Sequence, residues 1–369
     1  MKRILLFSRD PGAANTVVPI YKRLQNDSSY QCVLAGKEFA LKSYENEGLV
    51  GIDISCEVID ENTAANFLSL GQYDLIVTGV HSNDFTDRYL WSAAKKLNIP
   101  TIAILDQWMN YRARFTMAEP GVDASSFPLI MPDYVCVMDE MAKVRMLDEG
   151  LEGTEIKVTG QPHFETIKER MINVTDETIS DTRNSLSLRE GVFVLTFVSE
   201  PIVEAYDDPM FLGYTEFTVL DELIDILIDE CERTGRKADL VIRLHPRNNP
   251  ALFESYLKKG SGKLKIIVDQ SVVSQHLIAV SDLIVGLSSM FLLESVIAQK
   301  PIISAQLGLK REDPFMLSRL GYIDTITERD SLQKEIAAVL DGEPASITKI
   351  FSVVENPTEN IIEIIKSMV

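Results

Sequence analysis

Two short segments in the second half of the chain combine residue types that bind phosphate. The first is Arg243-Leu-His245-Pro246-Arg247, and the second is Gly286-Leu-Ser288-Ser289 followed by Glu294. Guanidinium groups grip phosphate oxygens bidentately, and small hydroxyls with free backbone N–H groups at a helix start hold an anion. Each segment follows an apolar β-branched run, as expected for a ligand site at the carboxyl edge of an α/β sheet. The residues predicted to hold phosphate are Arg243, His245, Arg247, Gly286, Ser288 and Ser289.

Two further polar features lie in the same half of the chain. Glu294 follows the serine pair on the predicted helix, where its carboxylate is suited to accept two ribose hydroxyls; a packing role is the alternative. Ser199-Glu200 ends the first strand-like run of this half. A polar turn and ligand contact are equally good interpretations of that pair.

Polar side chains also follow strand-like runs in the first half. Asp10-Pro-Gly12-Ala-Ala-Asn15 opens a helix whose N-terminus favours an anion or a sugar oxygen, and Gly12 lets a ligand approach the backbone. Asp106 stands at a strand end and is a candidate general base. His81 ends the preceding strand and is a weaker acid/base candidate. Ordinary turns and caps are the alternatives for all of these.

The segment after Asp106 is rich in groups that could contact a substrate. Trp108 and Tyr111 could stack on a sugar or an aromatic ring, and Arg112 adds a cation. The alternative is a surface loop anchored by its tryptophan. We therefore predict that Gly12, Asn15, Trp108, Tyr111 and Arg112 form a second ligand-binding surface.

Strand-like and helix-like segments alternate along the chain, which predicts parallel sheets joined by right-handed crossovers. The first half contains strands at 4–7, 30–35, 73–78, 101–105, 134–137 and 156–159. A charged helical segment follows at 165–190, and then the alternation restarts with strands at 192–197, 239–244, 264–268, 283–285 and 301–305. The predicted helices of the second half include 217–234, 252–259 and 273–280. The restart predicts two similar α/β domains with a boundary near residues 160–190.

Composition narrows the class of protein. A chain of 369 residues with 46% hydrophobic and 25% charged residues suits two soluble globular domains. A formal net charge of −19 argues against a nucleic-acid partner and against general docking to an anionic membrane. The four cysteines show no metal-ligand spacing, and no metal site is predicted. The N-terminal apolar run is too short for a signal peptide and no run spans a membrane, so a cytoplasmic protein is expected, with peripheral docking at the inner membrane face left open.

These motifs resemble those of the GT-B superfamily, which includes nucleotide-sugar glycosyltransferases and UDP-GlcNAc 2-epimerases. Val158-Thr-Gly160-Gln161-Pro162 resembles the interdomain crossing of that group, and Gly286 to Glu294 with Lys300-Pro301 resembles its donor-binding segment. The resemblance implies two Rossmann-like domains facing across a cleft. They would span 1–163, on the acceptor side, and 164–369, on the nucleotide-donor side, with the option that the last helix packs back on the first domain.

A narrower resemblance is to bacterial capsule and teichoic-acid transferases, which carry a His-Pro motif and a Ser/Thr pair that contact the donor's phosphate. His245-Pro246 and Ser288-Ser289 match these in order and rough spacing. We also place Ser199 and Glu200, which end the first strand of this half, among the predicted donor-binding residues. The resemblance leaves the catalytic residues to be chosen among Asp106, Asp10, His81 and His245, because an acidic pair followed by glycine is absent from the expected place.

The function expected from this resemblance is metal-independent transfer of a sugar or polyol-phosphate unit in bacterial surface polysaccharide synthesis. The donor would be CMP-, CDP- or UDP-linked and the acceptor a glycan or a lipid-linked glycan, with no cofactor. The alternatives are an NDP-sugar 2-epimerase and a non-catalytic nucleotide-sugar-binding subunit. A homodimer or membership of a polysaccharide-assembly complex is also left open.

Overall fold

The computed structural model describes residues 1–82, 84–119, 121–343 and 354–369. The chain divides into two compact units, each built on one parallel sheet. Unit 1 comprises Met1–Thr166 and Ser352–Val369, and unit 2 comprises Ile167–Phe351. The predicted α/β class with two Rossmann-like domains is confirmed.

Seven strands form the sheet of unit 1. They are β1 (Lys2–Ser8), β2 (Tyr30–Gly36), β3 (Ile52–Asp53), β4 (Leu75–Gly79), β5 (Thr101–Ile104), β6 (Tyr134–Val137) and β7 (Glu155–Val158). The helices that follow them are α1 (Pro11–Leu24), α2 (Phe39–Asn46), α3 (Glu61–Gly71), α4 (Thr86–Leu97), α5 (Glu140–Asp148) and α6 (Pro162–Ile172), with 3-10 turns at Arg112–Phe115 and Ala124–Ser126. The strand order is β3-β2-β1-β4-β5-β6-β7, and every pair is parallel.

Strand β1 lies inside the sheet of unit 1 and is apolar on both faces, because helices cover both sides of the sheet. Ile4 and Leu6 belong to a core that includes α1 side chains such as Val17. Leu5 and Phe7 belong to the opposite core, formed with α3 and α4. This double burial explains why β1 is a continuous apolar run rather than an alternating one.

Five strands form the sheet of unit 2. They are β8 (Phe193–Val198), β9 (Ala238–Arg243), β10 (Leu264–Asp269), β11 (Leu283–Gly286) and β12 (Ile302–Ser304). The helices are α7 (Asp176–Ser185), α8 (Ile202–Ala205), α9 (Glu216–Thr234), α10 (Ser274–Val280), α11 (Met290–Ile297), α12 (Met316–Arg319) and α13 (Arg329–Asp341). The order β10-β9-β8-β11-β12 repeats the arrangement of unit 1 around its own first strand.

The last helix, α14 (Pro357–Met368), belongs to unit 1. Its buried side chains Ile361, Ile362 and Ile365 complete the core on the α1 side of the sheet. The Asn360 amide donates to the backbone oxygen of Thr159 at 3.0 Å, just after β7. Gly160, with φ of 83°, allows this approach, because a Cβ there would press on Pro357.

Several element predictions need correction. The helix predicted at 252–259 is wrong: two short 3-10 turns, Pro250–Leu252 and Glu254–Lys258, occupy the segment. The backbone here makes i→i+3 hydrogen bonds, such as Phe253 N–H to Pro250 O at 2.9 Å, in place of the i→i+4 bonds of an α-helix. The sequence interpretation also missed α2 and β3, and the charged segment 165–190 forms parts of two helices, α6 and α7, rather than one.

Candidate functional site

Each sheet has a point beside its first strand where successive crossovers run in opposite directions. In unit 1 this point lies between β1 and β4, and in unit 2 it lies between β8 and β11. Loops diverge there at the carboxyl edge of the sheet, which is where open α/β sheets hold their ligands. Most of the residues that the sequence predicts to be functional follow these strands or their neighbours.

Asp106, which follows β5, is the carboxylate best placed for chemistry in unit 1. Its Oδ1 accepts a hydrogen bond from Arg114 Nη1 at 2.8 Å, and the residue is 6% exposed. Its Oδ2 accepts no hydrogen bond from any described residue and lies against Gly12, where a Cβ would overlap it. Asp106 is therefore held through one oxygen, while the other faces the first turn of α1.

Arg114 fixes the loop around Asp106 as well as the carboxylate itself. Its Nη1 also donates to the Val80 backbone oxygen at 3.1 Å, and its Nε donates to the Met109 oxygen at 3.2 Å. The adjacent Phe115 stacks on Trp91, with ring centroids 5.7 Å apart. The ends of β4 and β5 are thus tied together next to Asp106.

His81 is 1% exposed, and both of its ring nitrogens are used within the protein. Nε2 accepts the backbone N–H of Arg9 at 2.9 Å, so in the neutral ring the proton is on Nδ1. Nδ1 lies 3.2 Å from Asp87 Oδ2. This arrangement favours a positioning role for His81, which holds the backbone just before Asp10, over the predicted role in proton transfer.

Asp10 lies at the N-cap of α1 without capping it. Its Oδ1 accepts from Arg9 Nη1 at 2.8 Å, and Arg9 Nη2 donates to Glu38 Oε2 at 2.5 Å. Glu38 has φ of 46°, a backbone conformation that non-glycine residues rarely adopt. Asp10 and the partly exposed Asn15 lie at the same helix start as Gly12.

The predicted aromatic contacts of the acceptor side are buried. Trp108 and Tyr111 are each 2% exposed. Trp108 stacks on Phe164 and donates to Asp139 Oδ2 at 2.6 Å. Arg112 ties its loop to Glu149, whose Oε2 accepts the Arg112 N–H at 2.9 Å. Packing therefore accounts for these side chains, and the burial of both rings argues against stacking on a ligand.

In unit 2 the serine loop before α11 has a partner within the chain. Glu200, which follows β8, accepts the Ser288 backbone N–H at 2.6 Å and the Ser288 hydroxyl at 2.9 Å. The Ser289 backbone N–H also lowers the pKa of this carboxyl group, though less than its burial raises it. Ser289 is the N-cap of α11, and its hydroxyl accepts the Phe291 N–H at 3.1 Å. The groups that the sequence offers to an anion are therefore directed at a carboxylate.

Burial raises the pKa of Glu200, because it outweighs the hydrogen bonds from Ser288 and Ser289, and the nearby Glu216 carboxylate adds to the shift. The carboxylate is thus incompletely stabilised in its ionised form. The hydroxyl of the adjacent Ser199, itself 1% exposed, finds no hydrogen-bond partner among the described residues.

Arg243 ends β9, and His245 lies in the loop that follows it. Arg243 Nη1 pairs with Asp269 Oδ2 at 2.5 Å, so its charge is already matched. Burial alone would raise the pKa of Asp269, but the Ser271 and Val272 N–H groups and Arg243 outweigh it and lower that pKa. His245 Nδ1 accepts the Arg247 N–H at 3.1 Å, which leaves Nε2–H as the donor of the neutral ring.

Burial and the Arg247 charge lower the pKa of His245, so the neutral ring is the main form at neutral pH. Arg247 is exposed, and Glu294 is partly exposed on α11. Gly286 ends β11, and the next carbonyl, that of Leu287, accepts from the Ser304 hydroxyl at 2.6 Å. In the described part of unit 2, no hydrogen bond joins the His245 loop to the Ser288 loop.

Asp87, Arg88 and Arg114 are the site residues that the sequence interpretation missed or left out. Asp87 and Arg88 lie in the first turn of α4, which begins two residues before the helix predicted at 88–97, and both are fully buried. The sequence does contain a sign of their burial, because Asp87 and Arg88 form a charged pair on the apolar face of an amphipathic helix. Such a pair cannot remain there without partners.

Two further features are absent from the described ranges. No three His, Cys, Asp or Glu side chains lie close enough together to hold a metal ion. No described helix has the length and apolar character needed to cross a bilayer.

Solved structures of similar fold were found, whereas no protein-family model and no curated sequence matches this chain. UDP-GlcNAc 2-epimerase from Neisseria meningitidis, bound to UDP-GlcNAc, is 12% identical with a TM-score of 0.69, and 100% of each chain is covered. The UDP-GlcNAc 2-epimerase from Methanocaldococcus jannaschii is 17% identical with a TM-score of 0.67, again over 100% of each chain. A glycosyltransferase from Rickettsia africae is 12% identical with a TM-score of 0.58, over 98% of this chain and 93% of that one. At these identities the likeness shows the fold, and the chain has the two-domain GT-B fold.

Proposed function

We propose that this protein is a GT-B-type transferase that moves a sugar or polyol-phosphate unit from a nucleotide-linked donor to an acceptor hydroxyl. The observation that carries the proposal is Asp106, whose Oδ1 is fixed by Arg114 while Oδ2 is left to accept a proton. Its place after β5, at the carboxyl edge of the sheet, is where such folds bind substrates. Removing the acceptor's proton is the one base step that a direct transfer requires.

Unit 2 supplies the groups suited to the donor. The backbone N–H groups of Ser288 and Ser289 at the start of α11 and the Nε2–H of His245 can donate to phosphate oxygens. They would stabilise the charge that develops on the leaving nucleotide, and no metal is needed for that step. The Neisseria structure of similar fold was solved with UDP-GlcNAc, which supports a nucleotide-sugar ligand. Glu294 is proposed to contact ribose.

An epimerase is the second candidate, because two carboxylates, Asp10 and Asp106, flank the same helix start at Gly12. Epimerisation requires acid/base groups on both faces of a sugar, whereas transfer requires one base. The involvement of Asp10 is therefore what distinguishes the two reactions. A role in surface polysaccharide synthesis at the inner membrane face remains a prediction of the sequence.

Turnover of UDP-GlcNAc, CMP- and CDP-linked donors tests the proposal. Nucleotide release should require an added acceptor, and Asp106→Asn should lower kcat about a hundred- to ten-thousandfold while nucleotides still raise the melting temperature. Asp123→Asn, at an exposed turn of the same unit, is the matched control and should leave both unchanged. Failure of every nucleotide to stabilise the protein would refute the proposal. Formation of UDP-N-acetylmannosamine without acceptor, or of UDP and free N-acetylmannosamine with consumption of water, would instead establish the epimerase.

A further inference from the structure

A connected set of buried charges lies beneath the candidate base of unit 1. Asp87 and Arg88 are 0% exposed and pair with each other, with Arg88 Nη1 3.1 Å from Asp87 Oδ1. Removing two charges from water is costly, and their mutual attraction repays it only with further hydrogen bonds. The bonds these two residues make outside their own helix indicate what the pair does.

Asp87 acts on the end of β4. Its Oδ2 accepts both the backbone N–H of His81, at 3.1 Å, and His81 Nδ1, at 3.2 Å. The bond to Nδ1 fixes the ring tautomer and turns Nε2 into the acceptor of the Arg9 N–H. Asp87 therefore determines, through His81, where the backbone enters the turn that carries Asp10 and Gly12.

Arg88 holds the backbone around His81 through its guanidinium group. Its Nη1 donates to the His81 backbone oxygen at 2.7 Å and to the Arg114 backbone oxygen at 2.8 Å. Its Nη2 donates to the Asp84 backbone oxygen. One guanidinium thus holds three carbonyl oxygens on two segments, and the second segment, the 3-10 turn Arg112–Phe115, carries the arginine that orients Asp106.

We propose that Asp87 and Arg88 are positioning residues for proton transfer at Asp106. They act through His81 on the Gly12 turn and through Arg114 on the carboxylate, so that Asp106 Oδ2 stays over the start of α1. This inference rests on the proposed function, because it takes Asp106 as the base. It assigns neither residue a contact with substrate.

The first test needs no activity. Nitrogen-15 shifts of the imidazoles at mildly alkaline pH should assign the His81 proton to Nδ1 in the wild-type protein, with His81→Gln used to identify the signal among four histidines. Asp87→Asn should change that tautomer or make it heterogeneous. An unchanged His81 signal in Asp87→Asn would overturn the proposal, whatever reaction the protein catalyses.

The second test uses kinetics. Arg88→Lys keeps the charge but cannot reach three carbonyls at once, and it should lower kcat about ten- to a hundredfold with little change in the donor KM. Asp87→Asn should act similarly and shift the acidic limb of the pH–rate profile. The same kcat and pH profile as wild type in folded variants would contradict the inference.

A buried ion pair remote from the carboxyl edge provides the control. Asp239, 0% exposed at the start of β9 in unit 2, pairs with Arg189 Nε at 2.6 Å. Asp239→Asn should lower the melting temperature without changing the pH profile, as expected of a purely structural pair. If Asp87→Asn behaves in the same way, the positioning role is refuted. If the wild-type protein turns over no donor, the proposed function fails. The tautomer test still decides whether Asp87 positions His81.

Discussion

Single residues in this protein are best interpreted through the atoms they touch. Gly12 illustrates this. The sequence explains the glycine by the need for a ligand to approach the backbone, and the structure adds a second reason. A Cβ at this position would overlap Asp106 Oδ2. The side chain of residue 12 and the orientation of the candidate base are therefore mutually exclusive.

Gly12→Ala should accordingly impair catalysis more than folding. The atom that must move is the end of a side chain, so we expect a loss of about 1 kcal/mol or less in the free energy of unfolding. Displacing the carboxylate should lower kcat about ten- to a hundredfold. Turnover measured beside urea unfolding checks both expectations. Gly262→Ala is the control, because its Cβ would meet nothing within 4 Å. Equal activity of the two variants would show that Asp106 can relocate without consequence.

Among elements, the loop after β8 and the start of α11 form the pair with the clearest functional implication. Glu200 occupies the backbone N–H and the hydroxyl of Ser288, which would otherwise suit a phosphate. A nucleotide that binds there must displace the carboxylate. Glu200 then competes with the ligand for these groups, and the effect of replacing Glu200 on binding affinity can be measured.

Glu200→Ala should tighten binding of UDP-GlcNAc about tenfold, as expected when displacing a charge-assisted hydrogen bond no longer costs about 1.4 kcal/mol. Calorimetric titration measures the change. Glu204→Ala, an exposed neighbour on the same segment, should bind like wild type. Unchanged or weaker binding by Glu200→Ala would mean that the ligand phosphate lies elsewhere.

The pH dependence of this competition has a defined sign. Burial raises the pKa of Glu200 in the free protein, and displacement into water returns it to its ordinary value. Binding therefore releases a proton between the two values, and affinity in the wild-type protein should fall as pH falls through the raised pKa. The Glu200→Ala variant should lack this dependence.

The elements also show what local sequence pattern can and cannot predict. The apolar run of β1 and the polar residues after β5 and β9 were found from the sequence because strand ends and parallel order follow from local pattern. The pairing of Glu200 with Ser288 joins residues 88 positions apart, which spacing alone cannot indicate. Asp87 and Arg88 were missed because charges on a helix usually face water, and the burial of Trp108 depends on Phe164 in a different element.

At the scale of the whole molecule, the chain leaves unit 1, forms unit 2 and returns to unit 1. The return is made by α14, whose Ile361 and Ile365 are fully buried in the core beside α1. Unit 1 therefore needs two parts of the chain, which are nearly 190 positions apart in sequence. The first part ends at Thr166 and the second begins at Ser352.

Ile365→Ala should destabilise unit 1 by about 2–5 kcal/mol through the cavity it leaves. Both tryptophans, Trp91 and Trp108, belong to unit 1, so tryptophan fluorescence during urea unfolding reports that unit. The partly buried Ile364 on the same helix is the control, and Ile364→Ala should cost less. A fluorescence transition unchanged by Ile365→Ala would show that unit 1 is stable without this contact.

The return of α14 also has a consequence for biosynthesis. A ribosome releases the strands of unit 1 first and the isoleucines of α14 last, after all of unit 2 has emerged. Unit 2 can finish folding while unit 1 still exposes the apolar groove of α1, which reverses the usual N-terminal-first order of domains. During translation the core beside α1 thus stays incomplete until α14 has been synthesised.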